Sequence, residues 1–190
     1  MMFSPDYPIR TERLLLRPIA ADDAEAMLRY KSDADNVRFV PYGPLGLAEI
    51  EERIATRWAG TRFEKQDDAV CLAVVEQESG CLVGDVVLFW RSENDREGEV
   101  GYILDPAFSG RGYAAEAVGA LLAIGFDGLG LHRIAARIDE RNAASVRVVE
   151  RLGFRREARL VESSWFKGEW TTLLIYAQLE HEWRSSIIEG

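Results

Sequence analysis

The chain has 190 residues, 47% of them hydrophobic, and a formal net charge of −9, which fits one globular domain and argues against general nucleic-acid binding. No apolar run approaches the roughly 18 residues of a membrane span, and the first residues lack a signal peptide's apolar segment, so a cytoplasmic protein without a membrane partner is expected. Two histidines and two cysteines without C-x-x-C spacing predict no metal site.

The first half of the chain predicts one strand, two helices and a hairpin. Arg13 to Ile19 is a short apolar run with a proline near its end, as in a strand. Two aspartates then suit a helix start, so a helix is predicted from Ala24 to about Lys31. After a loop rich in proline and glycine, helical spacing predicts a second helix over Leu47 to Phe63. The β-branched runs VCLAVVEQ and CLVGDVVLFW, joined by ESG, predict the hairpin.

The second half predicts a parallel strand–helix–strand unit followed by a closing hairpin. The strand GEVGYILD precedes a helix over Ala114 to Phe126, a strand over Leu131 to Asp139 and a helix over Asn142 to Arg151. The runs GFRREARLVES and TTLLIYAQLEHEW predict a final antiparallel pair. The order indicates a single α/β (α+β) domain over residues 1–190. Its mixed, mostly antiparallel sheet has about seven strands, flanked by about four helices, with a right-handed parallel crossover at its centre.

The stretch SGRGYAAEA (Ser109 to Ala117) places glycines between a strand and a helix. Glycines let the backbone approach a ligand closely, and a helix start offers unpaired N–H groups to an anion. The amides of Gly110 to Ala115 can therefore face a pyrophosphate, with Arg111 adding charge at the rim. An ordinary tight turn is the alternative interpretation. The stretch is neither a Walker A loop nor a G-x-G-x-x-G motif at the required offset.

The motifs along the chain resemble those of the GNAT acyl-CoA-dependent N-acetyltransferases, in particular the RimJ/RimL-like branch. Ser109 to Ala114 resembles the family's pyrophosphate motif Gln/Arg-x-x-Gly-x-Gly/Ala, with Ser109 departing from its first position. TERLLLRP resembles the opening strand of the branch, RNAAS its Asn-x-x-Ser signature, and RLGF and IYAQLEHEW its closing elements. These matches follow one another in the family's order over nearly the whole chain.

The resemblance implies that acetyl-CoA binds in a split between the fourth and fifth strands of the family fold. Pantetheine and thioester contacts are then expected from the backbone of Tyr102, Ile103 and Leu104. The pyrophosphate is expected at the backbone of Gly110, Arg111, Gly112, Tyr113, Ala114 and Ala115. Asn142 resembles the family's asparagine that touches the pantetheine arm, and capping of the following helix is an equally good interpretation.

The resemblance also implies transfer of an acetyl group to a primary amine without a covalent enzyme intermediate. Ser145 matches the serine of the Asn-x-x-Ser signature and is the candidate that assists the departing thiolate; a serine bonding its own helix is the alternative. Glu99, on the strand before the glycine turn, is one candidate base, although an exposed strand glutamate is the other interpretation. Glu162, predicted to share a strand face with Ser164, is a second candidate, and a bound water is a third.

Two aromatic segments are expected to wall the acceptor site. One spans Phe39 to Gly43 and includes Phe39 and Tyr42, and the other spans Trp165 to Trp170; ordinary packing is the alternative. The acceptor is a protein N-terminus or a small-molecule amine, and a homodimer is expected by analogy. Two other functions stay open, namely a non-catalytic CoA-binding regulatory module and an acyltransferase that uses another donor such as succinyl-CoA.

Overall fold

The computed structural model describes residues 2–188 and contains eight strands and five helices in that range. The strands are β1 (Ile9–Arg10), β2 (Leu14–Pro18), β3 (Ala69–Glu76), β4 (Leu82–Ser92), β5 (Glu97–Leu104), β6 (Arg133–Asp139), β7 (Arg155–Phe166) and β8 (Glu169–Leu179). The helices are α1 (Ala24–Lys31), α2 (Leu47–Ala55), α3 (Tyr113–Ala123), α4 (Ala143–Arg151) and α5 (Glu180–Ile188). None of the helices in this part of the chain is long and apolar enough to cross a membrane.

All eight strands form one sheet in the order β1-β2-β3-β4-β5-β6-β8-β7. Every neighbouring pair is antiparallel except β5 and β6, which are parallel and are connected through α3. This confirms the mixed, mostly antiparallel sheet with a central parallel unit. The additional strand is β1, which has only two residues and pairs with β2.

Two elements are shorter in the structure than the sequence predicts. The helix predicted over Leu47 to Phe63 ends at Ala55, where the Thr56 hydroxyl bonds the Glu52 carbonyl and Phe63 instead pairs with Phe3. The last predicted strand gives way to α5 at Glu180. There the Glu182 carboxylate accepts a hydrogen bond from the Leu179 amide at 2.8 Å, which starts a helix.

The sheet separates two hydrophobic clusters, and strand alternation assigns the side chains of β5 to both. Val100 belongs to the cluster under α3 and α4, and Tyr102 packs against it. Ile103 belongs to the cluster under α1 and α2. Because successive side chains of a strand point to opposite faces, Glu99 lies on the same face as Ile103. β5 thus presents a different set of groups to each side of the sheet.

A buried charged pair lies beneath α1 and α2. The Lys31 ammonium, with no exposed side-chain surface, lies 2.7 Å from a carboxylate oxygen of Asp85 and donates a hydrogen bond to the Tyr42 hydroxyl at 2.9 Å. The Tyr30 hydroxyl donates to the same carboxylate at 2.7 Å, and the Trp58 ring covers the ammonium at 4.5 Å. The pair therefore joins α1, β4 and the loop before α2 within the core.

We expect Lys31→Met to lower the free energy of unfolding by about 3–5 kcal/mol, because it leaves the buried Asp85 carboxylate without its cation. The double variant Lys31→Met/Asp85→Leu removes both charges and should be less destabilised than the sum of the two single variants. Urea unfolding of the three variants measures this. Additive losses would contradict direct coupling between the two side chains.

Candidate active site

The parallel ladder between β5 and β6 is short and leaves part of β5 open. Its pairs run from Glu97 opposite Arg133 to Glu99 opposite Ala135, whereas β5 continues to Leu104 against β4 alone. Beyond Glu99 the two strands no longer pair, so a split opens between them. The edge of β5 that faces this split carries peptide groups without a strand partner.

The register of β5 on β4 decides which peptide groups face the split. The Asp105 amide bonds the Val83 carbonyl at 2.9 Å, which makes these two residues a hydrogen-bonded antiparallel pair. Since such pairs alternate with non-bonded ones, the peptide groups of Ile103 also face β4, opposite Asp85. Those of Tyr102 and Leu104 face the split, together with the Val100 carbonyl.

One of these open carbonyls already has a partner. The Asn36 side-chain amide donates to the Leu104 carbonyl at 3.1 Å and to the Tyr30 carbonyl at 2.9 Å. The Val100 amide completes the last β5–β6 pair, at Ala135, so the Val100 carbonyl and the peptide groups of Tyr102 form the main open edge. Val100 was missed in the sequence analysis because its apolar side chain indicates only a core position, and strand register is not visible in the sequence.

A side chain bridges the split at its open end. The Tyr102 hydroxyl donates a hydrogen bond to the Ser145 carbonyl on α4 at 3.1 Å. Burial raises the pKa of Tyr102 to about 12, so its hydroxyl keeps its proton at neutral pH. The Asn142 carboxamide oxygen accepts from the Ser145 amide at 3.1 Å and caps α4, as one of its two interpretations predicted. The structure thus gathers Tyr102, Asn142 and Ser145 at one place.

The glycine turn after β5 has the backbone of an anion cradle. Gly110 and Gly112 have φ values of +78° and +83°, a left-handed conformation that other residues rarely adopt. Gly112 is the N-cap residue of α3, so the first amides of that helix have no acceptor within the helix. Within residues 2–188, no acceptor is bonded to the backbone amides from Gly110 to Ala115. Six successive N–H groups are therefore free to bind a ligand.

A salt bridge holds this turn in place. The Glu116 carboxylate accepts hydrogen bonds from the Thr11 hydroxyl at 2.6 Å, the Arg13 amide at 2.7 Å and the Arg13 Nε at 2.8 Å. Arg13 in turn donates from Nη1 to the Arg111 carbonyl at 2.9 Å. Burial would raise the pKa of Glu116, but the hydrogen bonds from Thr11 and Arg13 outweigh it and hold that pKa below its usual value.

The side chains of Arg111 and Tyr113 point to a second carboxylate. Arg111 Nη1 lies 3.4 Å from Glu76, and the guanidinium covers the Phe108 ring at 5.1 Å. The Tyr113 hydroxyl also donates to Glu76, whose pKa is lowered by hydrogen bonds from Ser79 and Tyr113. Glu76 therefore neutralises part of the Arg111 charge.

The two candidate bases differ in surroundings. The Glu99 carboxylate is paired with Arg91 at 3.0 Å, on the α1 and α2 side of the sheet. Glu162 is exposed and has φ of +46°, within a bulge that shifts the register of β7 on β8 between Leu160 and Ser164. Simple alternation therefore does not hold from Glu162 to Ser164, because the bulge adds unpaired residues to β7.

The two segments predicted to wall the acceptor site belong to elements that one hydrogen bond joins. Lys167, in the turn between β7 and β8, donates to the Val37 carbonyl at 2.6 Å and joins that hairpin to the loop before α2. The Arg141 guanidinium lies 5.9 Å from the Phe39 ring.

The aromatic residues of the two walls differ in exposure. Trp165, 61% exposed, packs edge-on against Trp170 on the hairpin. Tyr42 instead packs against the core under α1 and α2, with its hydroxyl on Lys31.

Comparisons with known proteins agree with this geometry. A family profile described as acetyltransferase (GNAT) domain matches residues 13–155, well over half of the chain. The chain belongs to the GNAT acetyltransferase family. An uncharacterized N-acetyltransferase of Bacillus subtilis, YnaD, is 32% identical over 92% of this chain and 98% of its own length.

Solved GNAT structures have the same fold. An acetyltransferase of the GNAT family from Bacillus anthracis superposes with a TM-score of 0.81 at 29% identity, covering 95% of this chain and 99% of that one. A spermidine N-acetyltransferase from Vibrio cholerae in complex with CoA and spermine has a TM-score of 0.76. At 21% identity, over 92% of this chain and 99% of that one, it supports the fold alone. This GNAT chain is thus an acyltransferase with a family fold over nearly its whole length.

We expect Gly112→Ala and Gly119→Ala to change stability in opposite directions. A side chain at Gly112 meets a left-handed backbone and should cost about 1–2 kcal/mol of unfolding free energy. Gly119, in the middle of α3, has only an ordinary contact for a methyl group, 3.9 Å from Leu152, so alanine should gain up to about 1 kcal/mol. Urea unfolding measures both, and equal effects would contradict the strained turn.

The Glu116 salt bridge predicts a pH-dependent loss in Glu116→Gln. Because the folded-state pKa of Glu116 is lowered, its stabilisation is present above the unfolded pKa of about 4.3 and is lost as the pH falls through the folded value. The variant should therefore be less stable than wild type at neutral pH, and the difference should shrink in acid. Glu51→Gln, at an exposed position of α2, is the control. A difference that stays constant with pH would contradict the account.

Proposed function

We propose that the chain transfers an acetyl group from acetyl-CoA to a primary amine. The observation that carries the proposal is the open edge of β5 beside the split, followed along the chain by the free amides of Gly110 to Ala115. The strand edge offers neutral hydrogen-bonding groups to an extended amide chain, and the turn offers unpaired N–H groups to a diphosphate. An acyl-CoA has both parts in this order.

The pantetheine arm would lie along β5 as an added strand. Its amides would pair with the open peptide groups of Tyr102 and with the Val100 carbonyl, in the way that an extended peptide joins a sheet edge. The pyrophosphate would accept hydrogen bonds from the turn, where the dipole of α3 favours negative charge. Asn142, at the start of α4, would meet the same arm from the other side of the split.

The reaction requires a neutral amine and a group that accepts the proton that the amine loses. The amine nitrogen bonds to the thioester carbonyl carbon, the carbon–sulfur bond breaks, and the sulfur leaves as a thiolate that takes up a proton. A β5 amide beside the split would bond the carbonyl oxygen as it gains charge. Ser145 would donate a hydrogen bond to the departing sulfur, and the amine proton would pass to Glu99, to Glu162 or to a bound water.

The acceptor would enter from the α1 and α2 side, between Phe39 and the β7–β8 hairpin that carries Trp165. Tyr42 would support this wall from the core side, through its hydrogen bond with Lys31. The acceptor amine belongs to a protein N-terminus or a small molecule. Membership of the RimJ/RimL-like branch, a cytoplasmic location and a homodimer stay predictions from the sequence.

Calorimetric titration with acetyl-CoA, followed by thiol release over a panel of amines, tests the proposal. We expect binding at micromolar to millimolar concentrations and thiol release with one class of amine. The panel should contain a polyamine, an amino acid and peptides with free N-termini, each with acetyl-CoA and with succinyl-CoA. No binding at millimolar acetyl-CoA would refute the proposal. Binding without thiol release for any amine would favour the regulatory module, and turnover with succinyl-CoA alone would identify the other donor.

Ser145→Ala tests a role of the Ser145 hydroxyl in the reaction, and Tyr102→Phe tests a role of the Tyr102 hydroxyl in stability. If the Ser145 hydroxyl bonds the leaving sulfur, the alanine variant should lose about tenfold in kcat with little change in KM for acetyl-CoA. Tyr102→Phe breaks the bridge to the Ser145 carbonyl and should cost about 1 kcal/mol of unfolding free energy. An unchanged kcat in Ser145→Ala would remove that residue from the mechanism.

A further inference from the structure

The charges around the glycine turn are unevenly neutralised. Arg13 is paired with Glu116 at 2.6 Å, and Arg111 is paired with Glu76 at 3.4 Å. Ser109, the first residue of the turn, brings no charge. Arg13, just before β2, and Arg111, in the turn itself, are therefore already bound to carboxylates of the same chain.

A third arginine reaches the turn from the far end of α4. Arg151 is the last residue of that helix, and its Nη1 lies 3.9 Å from the point that a Cβ at Gly112 would occupy. Arg13 Nη2 lies 3.5 Å from the same point. Two guanidinium groups thus converge on Gly112, at the start of α3.

Arg151 differs from the other two in having no counter-charge. Its side chain is exposed, and no described residue forms an ion pair or hydrogen bond with its guanidinium. Two neighbouring guanidinium groups repel each other, and an anion between them relieves this repulsion. A guanidinium also binds phosphate through two parallel N–H donors, which a point charge does not.

We propose that Arg151 binds a phosphate group of CoA and provides the main uncompensated positive charge of the donor site. The proposal rests on the proposed function, since it assigns a residue to the same donor. This phosphate is either one of the two phosphates of the pyrophosphate or the 3′-phosphate of the ribose. α4 would then hold the donor at both ends, with Asn142 at its start beside the pantetheine arm and Arg151 at its end beside a phosphate.

A structural role for Arg151 gives a different expectation. A cation at the end of a helix interacts favourably with the helix dipole, by a few tenths of a kcal/mol to about 1 kcal/mol. If this were its whole role, replacing Arg151 would lower stability slightly and leave CoA affinity unchanged. Affinity for CoA therefore distinguishes the two roles, and thermal unfolding of the ligand-free variant reports the structural one.

Calorimetric titration of Arg151→Gln with CoA and with dephospho-CoA, which lacks the 3′-phosphate, tests the proposal. We expect Kd for CoA to rise about tenfold in Arg151→Gln, as for loss of one charge-assisted hydrogen bond, and less in Arg151→Lys. Arg57→Gln is the control, because it removes an equal charge from an exposed position in the turn after α2 and should leave Kd unchanged.

Dephospho-CoA identifies which phosphate is bound. If Arg151 binds the 3′-phosphate, dephospho-CoA should bind wild type and Arg151→Gln equally, and if it binds the pyrophosphate, the tenfold loss should persist. An unchanged Kd for CoA in Arg151→Gln, or the same loss in Arg57→Gln, would overturn the assignment. If wild type binds neither CoA nor dephospho-CoA, the proposed function itself fails.

Discussion

The early end of the ladder between β5 and β6 is the constraint on which the site depends. Three pairs, from Glu97 to Glu99, hold the strands together, and beyond them β5 is bonded on one side only. An open strand edge inside a folded protein leaves peptide groups that need a partner. Because β5 and β6 are parallel, α3 and α4 both begin beyond the end at which the two strands stop pairing.

The electrostatics of the site are local and differ from those of the whole chain. A net charge of −9 would disfavour an anion near most of the surface, yet the glycine turn presents six free amides and the start of a helix. Glu116 and Glu76 hold the neighbouring Arg13 and Arg111 in fixed positions. These carboxylates fix the shape of the turn but neutralise part of the positive charge beside it. Arg151 on α4 supplies a positive charge that has no such partner among the described residues.

Much of the fold could be predicted from local patterns, whereas register and non-local pairing could not. The parallel unit followed from a strand, a glycine turn and a helix in succession, and the GNAT motifs led to the correct family. The helix over Leu47 to Phe63 was too long because the pairing of Phe63 with Phe3 depends on a distant segment. The bulge at Glu162 rests on a left-handed residue that is not glycine, which no sequence pattern indicates.

The same limit applies to the site. The backbone of Tyr102 and Leu104 faces the split as expected of a donor contact, but that of Ile103 faces β4, and only the register shows this. Asn142 and Ser145 could be found from their motif. Arg151 could not, because nothing in the sequence indicates that the end of α4 returns to the glycine turn.

Amide hydrogen exchange with and without acetyl-CoA tests the central claim most directly. In the free protein the amides of Gly110 to Ala115 and of Tyr102 should exchange fast, whereas the Ile103 amide, bonded to β4, should be protected. At saturating acetyl-CoA the first group should become protected and Ile103 should change little. If the amides of the turn and of Tyr102 exchange at the same rate with and without acetyl-CoA, the open edge is not the donor site.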